Sequence, residues 1–403
     1  MSEWMRTTLG ALCAAGGGSI QTGPFGSQLH AEEYSAAGVP VVMPQDIGEN
    51  TITTVQIARV PPTVAARLER HRLATGDIVF SRRGDVTRRA LVREDSAEWL
   101  CGTGCLRVRP GSAVDSQFLS YLLGTADARD WLLGNAVGTN MLNLNTTILG
   151  RLPLNVPPRP EQQAIAEVLG ALDDKIAANT ALAGTAEQLL RAEIDAAWLH
   201  NGNRDAMLSD YVIMNPKTTM PRVDNAIYID MKRLPEAGWS IDGYDYREPK
   251  GGARFQNGDT LLARITPCLE NRKTGFVDHL PNGEIGIGST EFIVMRSRGD
   301  VAAPISFLLA TEARFRDFAV QHMVGTSGRQ RVGAADIATF TLPRPNPMWL
   351  AGFGRRAEAV FSAVAAHVAE NRTLAATRDA LLPQLMSGKL RVRAAETLAS
   401  AVI

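Results

Sequence analysis

Arginine side chains are concentrated in one part of the sequence, where they could bind a polyanion. Residues 59–93 contain nine arginines against three acidic residues, a local balance of +6 in a chain of 403 residues with a formal net charge of zero. Residues 161–195 have the opposite character, with seven acidic residues against two basic ones, a balance of −5. This distribution is expected if only the basic region meets phosphate, although a solvated arginine-rich surface would give the same pattern.

Two polar segments, residues 138–145 (GTNMLNLN) and 325–331 (GTSGRQR), carry side chains that can read nucleic-acid bases. Asparagine and glutamine amides pair with adenine edges, and arginine pairs with guanine or phosphate. The candidates for phosphate or guanine contacts are Arg82, Arg83, Arg88, Arg89, Arg264, Arg272, Lys273, Arg329 and Arg331, and those for base edges are Asn140, Asn143 and Gln330. Asparagine also favours turns, so the first segment could serve loop geometry instead.

The sequence does not contain the motifs of common catalytic or cofactor sites. It has no G-x-x-x-x-G-K-[ST] phosphate loop, and residues 155–158 (NVPP) only approach the Asn/Asp-Pro-Pro-aromatic motif of a base methyltransferase, because a valine is inserted. Neither the four cysteines nor the six histidines show metal-ligand spacing. We therefore expect no metal, no cofactor and no catalysis by this chain itself.

A long amphipathic helix is predicted over residues 157–200. Apolar or small residues recur in steps of three and four, at Ile165, Val168, Leu172, Ile176, Ala183, Ala186, Leu190 and Ala197. Prolines at 157, 158 and 160 suit its first turn. About 40 residues at about 1.5 Å each give a rod of about 60 Å, which needs a packing partner.

The chain also contains an internal repeat, which supplies that partner. A shift of 192 positions aligns residues 179–183 (NTALA) with 371–375 (NRTLA), and residues 76–82 (GDIVFSR) match 258–264 (GDTLLAR) further upstream. The sequence therefore predicts two copies of a globular module, each followed by a long helix. The expected boundaries are 1–156 for the first module, 157–200 for the first helix, 201–347 for the second module, 348–388 for the second helix and 389–403 for a C-terminal tail.

Asn179 and Asn371 occupy equivalent positions near the middle of the two predicted helices, where the neighbouring stripe is apolar. If the helices pack antiparallel, these side chains should hydrogen-bond and fix the register, as a single buried asparagine does in coiled coils. The alternative is that one or both face solvent.

Short apolar runs bounded by Gly, Pro, Asn and Asp predict strands within both modules. In the first module they lie at residues 39–43, 54–57, 77–80 and 150–154, and in the second at 226–230, 260–264 and 291–295. Residues 115–133 and 304–320 predict amphipathic helical segments. No run of 18 apolar residues occurs, so we expect no contact with a membrane and a cytoplasmic location.

Taken together, these segments resemble the specificity (S) subunit of Type I restriction-modification systems over essentially the whole chain. The resemblance rests on residues 23–27 (GPFGS), 152–169 (LPLNVPPRPEQQAIAEVL), 254–277 (RFQNGDTLLARITPCLENRKTGFV), 286–296 (GIGSTEFIVMR) and 381–392 (LLPQLMSGKLRV). The start of the second helix, residues 342–349 (LPRPNPMW), departs from the pattern because it lacks the Glu-Gln pair of the first.

The resemblance implies an α/β (α+β) fold in which two pseudo-two-fold-related target recognition domains are separated by two long antiparallel helices that form a coiled coil. Each recognition domain would read one half of a bipartite site in double-stranded DNA. The helix pair would set the spacing and dock two methyltransferase (M) subunits, which would carry S-adenosylmethionine, and restriction (R) subunits could join them. The alternatives are an unrecognised two-domain hydrolase or transferase, and a coiled-coil adaptor that binds proteins.

Overall fold

The computed structural model describes residues 4–54, 56–138, 141–199, 206–281, 283–326 and 328–402. The chain divides into two compact units: unit 1 comprises Met1–Lys175 and Thr373–Ile403, and unit 2 comprises Ile176–Arg372. Each long helix contributes one part to each unit.

The first series of elements runs from the N-terminus through the first long helix. Its members are β1 (Met5–Thr8), α1 (Leu9–Ala15), β2 (Gly17–Thr22), β3 (Val39–Val42), β4 (Glu49–Asn50), β5 (Ala58–Val60), α2 (Pro62–Arg67), β6 (Ile78–Ser81), β7 (Arg89–Leu91), β8 (Leu100–Cys101), β9 (Cys105–Gly111), α3 (Ser116–Leu122), α4 (Ala126–Asn135), α5 (Thr146–Gly150), β10 (Pro153–Val156) and α6 (Arg159–Leu199).

The second series follows a similar order through the second long helix, without a counterpart of α2 among the described residues. Its members are β11 (Ala206–Met207), α7 (Leu208–Tyr211), β12 (Val212–Met214), β13 (Ala226–Ile229), β14 (Asp245–Arg247), β15 (Ala253–Phe255), β16 (Thr260–Ala263), β17 (Thr274–Phe276), β18 (Gly286–Gly288), β19 (Phe292–Ser297), α8 (Pro304–Ala310), α9 (Ala313–Gln321), α10 (Ala334–Ala338), β20 (Thr341–Leu342) and α11 (Pro347–Met386), with α12 (Val392–Ser400) following.

The sheets of the two series share a strand order apart from one edge strand each, β4 in unit 1 and β15 in unit 2, which confirms the internal repeat. In unit 1 the strand orders are β2-β9-β6-β7-β4, β5-β3-β8 and β1-β10. In unit 2 they are β12-β19-β16-β17, β14-β13-β18-β15 and β11-β20. Strands β6 and β16 each lie between two antiparallel neighbours and are buried along their whole length, which accounts for their continuous apolar runs.

A buried carboxylate marks the start of the central strand in both copies. Asp77 receives hydrogen bonds from Arg109 on β9, Nε to Oδ1 at 2.8 Å and Nη2 to Oδ2 at 2.7 Å. Asp259 is held in the same two-pronged way by Arg296 on β19, at 2.6 and 2.7 Å. This geometry matches the planar fork of a guanidinium to both carboxylate oxygens, so the two copies share a polar anchor as well as a topology.

The two long helices pair within each unit. In unit 2, Asn179 of α6 contacts Asn371 of α11, and Glu193 contacts Arg356, so residue numbers rise along one helix as they fall along the other. The predicted apolar stripe is buried at Leu172 in unit 1 and at Leu190 in unit 2, and Ile194, which the prediction did not include, is buried as well. The mixed helix and strand content and the paired antiparallel helices confirm the predicted fold class.

Three local differences separate the structure from the sequence prediction. The strand predicted at residues 54–57 is not present at residues 54, 56 and 57, and residue 55 lies outside the described residues. Strand β5 begins instead at Ala58. Residues 146–150 form α5, so the closing strand starts at Pro153 rather than at residue 150. The predicted tail contains α12, which buries Ala395 and Ala399. Among the described residues, no helix has both the length and the apolar character needed to cross a lipid bilayer.

Candidate nucleic-acid interface

In unit 1, the end of β6 meets the polar loop that follows α4. The backbone of Leu144 donates to the carbonyl of Arg82 at 2.9 Å, and Arg83 forms a bridge with Asn143. Within the loop, Val137 and Asn143 exchange two backbone hydrogen bonds, at 2.9 and 3.0 Å. These contacts bring Arg82, Arg83 and Asn143 together, although about 60 residues separate the arginines from the asparagine in sequence.

Unit 2 repeats this arrangement with different side chains. The backbone of Val332 donates to the carbonyl of Arg264 at 3.0 Å, while Val324 and Arg331 exchange two backbone hydrogen bonds at 2.9 Å each. The loop after α9 thereby places Arg331, with its neighbour Gln330, against the end of β16. We call each of these arrangements a loop pair, formed by residues 82–84, 137–138 and 141–144 in unit 1 and by residues 264–266, 324–326 and 328–332 in unit 2.

Both loops start at a glycine whose backbone requires that residue type. Gly138 has a φ of 124° and Gly325 a φ of 134°, values that side-chain-bearing residues rarely adopt. A Cβ atom on Gly138 would lie 2.2 Å from the carbonyl oxygen of Met141. The glycines that align in sequence are therefore the residues that let each loop turn back on its strand.

The side chains of the unit 1 loop pair differ in how freely they meet solvent. Arg82 is half-buried, because its Nε donates to the carbonyl of Leu144 at 3.3 Å and its guanidinium lies 5.6 Å from the centre of the Phe25 ring. Arg83 is exposed. Arg88, in the same β6–β7 connection, is also exposed and lies 3.4 Å from Asp85. Arg83 and Arg88 are thus the cations that this loop presents to solvent.

In unit 2, Arg331 anchors its loop. Its Nε and Nη2 donate to the carboxylate of Glu291 at 2.7–3.0 Å, and its Nη1 donates to the carbonyl of Arg329 at 3.3 Å. The hydrogen bonds from Arg331 hold the pKa of Glu291 below its usual value. Arg331 is therefore committed to the protein, whereas Arg329 is exposed and Gln330 is half-buried at the loop tip.

Arg264 faces a groove beside the unit 2 loop pair. Its Nε is buried without a hydrogen-bond partner, and it lines a cavity of about 690 Å³ together with residues 215–219 and 252–254. The segment after β12 is held there because Asn215 Oδ1 accepts from the backbone of Val294 at 3.0 Å. This groove extends the candidate surface beyond the loop itself.

Arg89 does not belong to this surface, and its selection from the sequence was wrong. Its side chain is only 3% exposed, and its Nε donates to the carbonyl of Ser120 at 2.6 Å. Burial lowers the pKa of Arg89 to about 10. The run of arginines in the sequence does not indicate that the side chain of Arg89, on β7, points toward helix α3.

The remaining candidates lie elsewhere or make other contacts. Arg272 and Lys273 stand on the returning arm of the β16–β17 connection, where the carbonyl of Arg272 accepts from Arg316 at 3.0 Å. Lys273 Nζ lies 3.5 Å from the carbonyl of Leu234. Asn143 Oδ1 is buried without a hydrogen-bond partner, so that acceptor is not presented to solvent. Asn140 lies outside the described residues.

Sequence reasoning missed two residues that shape the interface. Phe25, which is 51% exposed, packs against Arg82 and lies in the GPFGS segment, whose position after β2 matches that of residues 215–219 after β12. Glu291 fixes Arg331, but it is separated from it by 40 residues. The GPFGS segment could have indicated Phe25 from the sequence, whereas no local sequence pattern links Glu291 to the loop.

The starts of the two long helices are secured differently. Gln162 in the first is buried, accepts from the backbone of Asp115 at 2.8 Å, and donates to the carbonyl of Pro157 at 2.8 Å. The second has no equivalent glutamine, and Asn346 Oδ1 instead accepts from the backbone of Met348 at 2.9 Å. The departure from the Glu-Gln pattern thus replaces a contact to the module with a local helix cap.

Titratable residues do not assemble into a metal site in the part of the chain that the structure describes, where no group of three or more His, Cys, Asp or Glu side chains could hold an ion. The fold and the candidate site define a protein with two copies of an α/β module, each bearing a loop pair with basic side chains and each packed on paired long helices.

Comparisons with known proteins agree with this architecture. Residues 1–188 match the family model described as the Type I restriction modification DNA specificity domain. Among curated proteins, the chain is 36% identical over 97 residues to the Type I restriction enzyme EcoAI specificity subunit and 28% identical over 146 residues to the EcoEI specificity subunit, both of Escherichia coli. These matches cover 24% and 34% of this chain, but only 16% and 24% of the relatives.

One solved structure shares the whole fold. The Type-I restriction-modification system S subunit from M. genitalium superimposes with a TM-score of 0.58 at 14% identity, covering 95% of this chain and 96% of that one. The match of residues 1–188 to this DNA specificity domain and the similar fold confirm the resemblance drawn from the sequence.

Proposed function

We propose that this chain is the non-catalytic subunit that selects the DNA sequence in a Type I restriction-modification complex. Each module reads one half of a bipartite site in double-stranded DNA. The observation that carries this proposal is the repeated loop pair, built on the same backbone contacts in both units but with different polar side chains. Two readers of different half-sites need this combination of a constant scaffold and variable tips.

The chemistry of the exposed side chains supports base and phosphate recognition. Arg83 and Arg88 in unit 1 and Arg329 in unit 2 are exposed cations on loops, and such cations position a protein on the phosphate backbone or pair with guanine. Gln330 carries the amide that suits adenine in the major groove. The ion pair between Arg331 and Glu291 holds this loop in place. A loop that is already ordered loses less conformational freedom on binding, which favours discrimination between DNA sequences.

The long helices fit the second half of the proposal, in which they set the spacing of the half-sites and dock two methyltransferase (M) subunits. Although α6 is already packed in unit 2, it exposes Leu182 by 53% and Leu189 by 66%. These two leucines are seven residues apart and so lie on one face of the helix, where a protein partner would cover both. S-adenosylmethionine would bind the M subunit, which would take the target base out of the stack, and restriction (R) subunits could complete the complex.

Sequencing of modified adenines tests the proposal. The chain is expressed with a methyltransferase partner in cells that lack other adenine methylation, and we expect one modified site with two specific halves and a fixed spacer. Arg329→Ala and Gln330→Ala should relax or change one half only. Lys250→Ala, which removes an exposed, ion-paired charge in unit 2, should leave the site unchanged. Loss of specificity in both halves, or methylation without sequence preference, would contradict separate reading by two modules.

A further inference from the structure

We propose that a cavity in unit 2, away from the loop pair, binds an oxyanion of the phosphate type. The cavity has a volume of about 690 Å³ and lies between α6, the α8–α9 helices and residues 236–238. Four arginines line it, at positions 191, 272, 314 and 316. The inference depends on which of these cations already have an anionic partner.

Arg316 is half-buried and incompletely bonded. Its Nη2 donates to the carbonyl of Arg272 at 3.0 Å and to Thr274 Oγ1 at 3.3 Å, whereas its Nη1 is buried without a hydrogen-bond partner. Burial, together with the positive charges of Arg272 and Arg191, lowers the pKa of Arg316 to about 10, while the charge of Glu187 acts in the opposite direction. A guanidinium with an unpaired buried donor is costly, so an acceptor arriving from solvent would satisfy it.

Two of the four carboxylates in the cavity wall are paired with the other two arginines. Glu187 accepts from Arg191 at 2.6 Å, and Glu312 accepts from Arg314 at 2.6 Å. Glu312 is further occupied because it caps helix α9 by accepting from the backbone of residue 315. Among the described residues, these contacts leave Arg272 and Arg316 as the two arginines of the cavity without an ion pair.

The other two carboxylates do not neutralise Arg272 and Arg316. Burial, together with the charge of Glu312, raises the pKa of Asp195, and the cations that act on Asp195 are Arg314 and Arg191. Glu236, at the rim, lies 3.9 Å from Lys273. The lining as a whole is balanced in formal charge, four arginines against four carboxylates, but the donor Nη1 of Arg316 still lacks an acceptor within the described residues.

Arg272 sits at the rim, where it can close over an anion. Its side chain is exposed, and its backbone has a φ of 65°, the left-handed conformation, with its carbonyl held by Arg316. Two guanidinium groups that share one cavity suit a phosphate group, because each can donate two parallel hydrogen bonds to its oxygens. The phosphate can come from free phosphate in solution or from a DNA backbone, which present the same oxygens.

Calorimetric titration of the full chain with inorganic phosphate, against sodium chloride at matched ionic strength, tests the site without DNA. We expect saturable binding of one phosphate, weakened about tenfold or more by Arg316→Gln and by Arg272→Gln, since each removes a charge-assisted hydrogen bond. Arg222→Gln, which removes an exposed charge elsewhere in unit 2, should bind like the wild type. Absence of saturable binding, or wild-type affinity in Arg272→Gln, would overturn the proposal.

A competition experiment distinguishes the two sources of phosphate, and a second variant keeps the test valid if the first does not fold. Because Arg316 supports its surroundings, Arg272→Gln at the exposed rim decides the result if Arg316→Gln unfolds. A duplex oligonucleotide added to the phosphate-bound protein displaces phosphate if the site holds a DNA backbone phosphate, and leaves it bound if the ligand is free phosphate. Either result supports the site, and because the first titration contains no DNA, failure of the proposed DNA reading would not affect it.

Discussion

Asn179 Nδ2 donates to Asn371 Oδ1 at 2.9 Å, so the two asparagines at equivalent positions of the repeat meet at the pairing of α6 and α11. Asn179 is only 5% exposed, and its Nδ2 also lies 2.7 Å from Glu370 Oε2. Sliding either helix by one turn would separate these groups and leave an amide buried among apolar side chains. The contact therefore favours one register over its neighbours.

Asn179→Leu should lower the free energy of unfolding by about 1–3 kcal/mol, because Asn371 then lacks its principal partner. The double variant Asn179→Leu/Asn371→Leu should recover most of that loss, since two apolar side chains replace both polar ones. Urea denaturation of the two single variants and the double variant measures the coupling. Thr185→Ala, an exposed change on the same helix, provides the control, and a coupling energy of zero would mean that the pair does not act as a unit.

Loss of either buried aspartate should lower the free energy of unfolding by a similar amount. Asp77→Ala and Asp259→Ala each leave an arginine, Arg109 or Arg296, without its two-pronged partner, and the expected cost is about 3–5 kcal/mol in either unit. Glu248→Ala removes an exposed ion pair with Lys250 and should cost less than about 1 kcal/mol. A small loss in only one aspartate variant would show that the repeat is preserved in topology but not in energetics.

The loop pairs predict two kinds of DNA-binding defect. Arg83→Ala should weaken binding to all duplexes alike and reduce the slope of log K against log salt by about 1, because a phosphate contact releases a counterion. Gln330→Ala should instead cost about 1–3 kcal/mol on the cognate half-site and little on random DNA. Fluorescence anisotropy of the chain with its methyltransferase partner at two salt concentrations distinguishes them. Equal losses on cognate and random duplexes for both variants would argue against base reading by Gln330.

Each unit attaches its module to the long helices through different chemistry. In unit 1, Tyr121 on α3 donates to Asp173 on α6 at 2.6 Å, and Arg378 on α11 donates to the same carboxylate at 2.7 Å. In unit 2, Trp239 stacks on Phe361 of α11 with ring centres 4.0 Å apart. The first attachment is polar and the second is aromatic, although the two modules share a topology.

Substitutions at these attachments should therefore lower the free energy of unfolding by different amounts. Tyr121→Phe removes one hydrogen bond to a carboxylate, and we expect a loss of about 1.5–3 kcal/mol. Trp239→Ala empties a large buried volume, and we expect about 3–5 kcal/mol. Guanidinium denaturation provides the comparison, with Tyr246→Phe, an exposed position, as the control for Tyr121→Phe. A smaller loss for Trp239→Ala than for Tyr121→Phe would show that the aromatic stack adds little to docking.

Features with a local or periodic signal were predictable from the sequence. The long helices follow from the spacing of their apolar residues, and the contact between Asn179 and Asn371 follows from aligning the two copies. The two central strands follow from the GDIVFSR and GDTLLAR segments, which occupy equivalent places in the sheets. In each case the pattern lies within about ten residues, or repeats itself along the chain.

Features that depend on contacts between distant residues were not predictable. Arg89 looked like its neighbour Arg88, but the backbone turns it inward to the carbonyl of Ser120. Glu291 commits Arg331 to an internal role from 40 residues away. Arg272 shares a cavity with arginines of other elements rather than joining the loop pair. The direction of a side chain and its ion pairs are determined by the tertiary fold, and a single sequence contains little information about them.

His71 gives unit 1 a pH-dependent stability. It is 2% exposed, and burial and the charge of Arg70 lower its pKa from 6.5 to about 4. Between pH 6.5 and 4 the unfolded chain binds a proton at His71 that the folded chain does not, so this residue lowers stability as the pH falls through that window and has no effect above it. His71→Gln should remove on the order of 1–3 kcal/mol of that pH dependence. Urea unfolding at pH 7 and 4.5 measures it, and identical pH slopes for wild type and variant would show that His71 is protonated equally in both states.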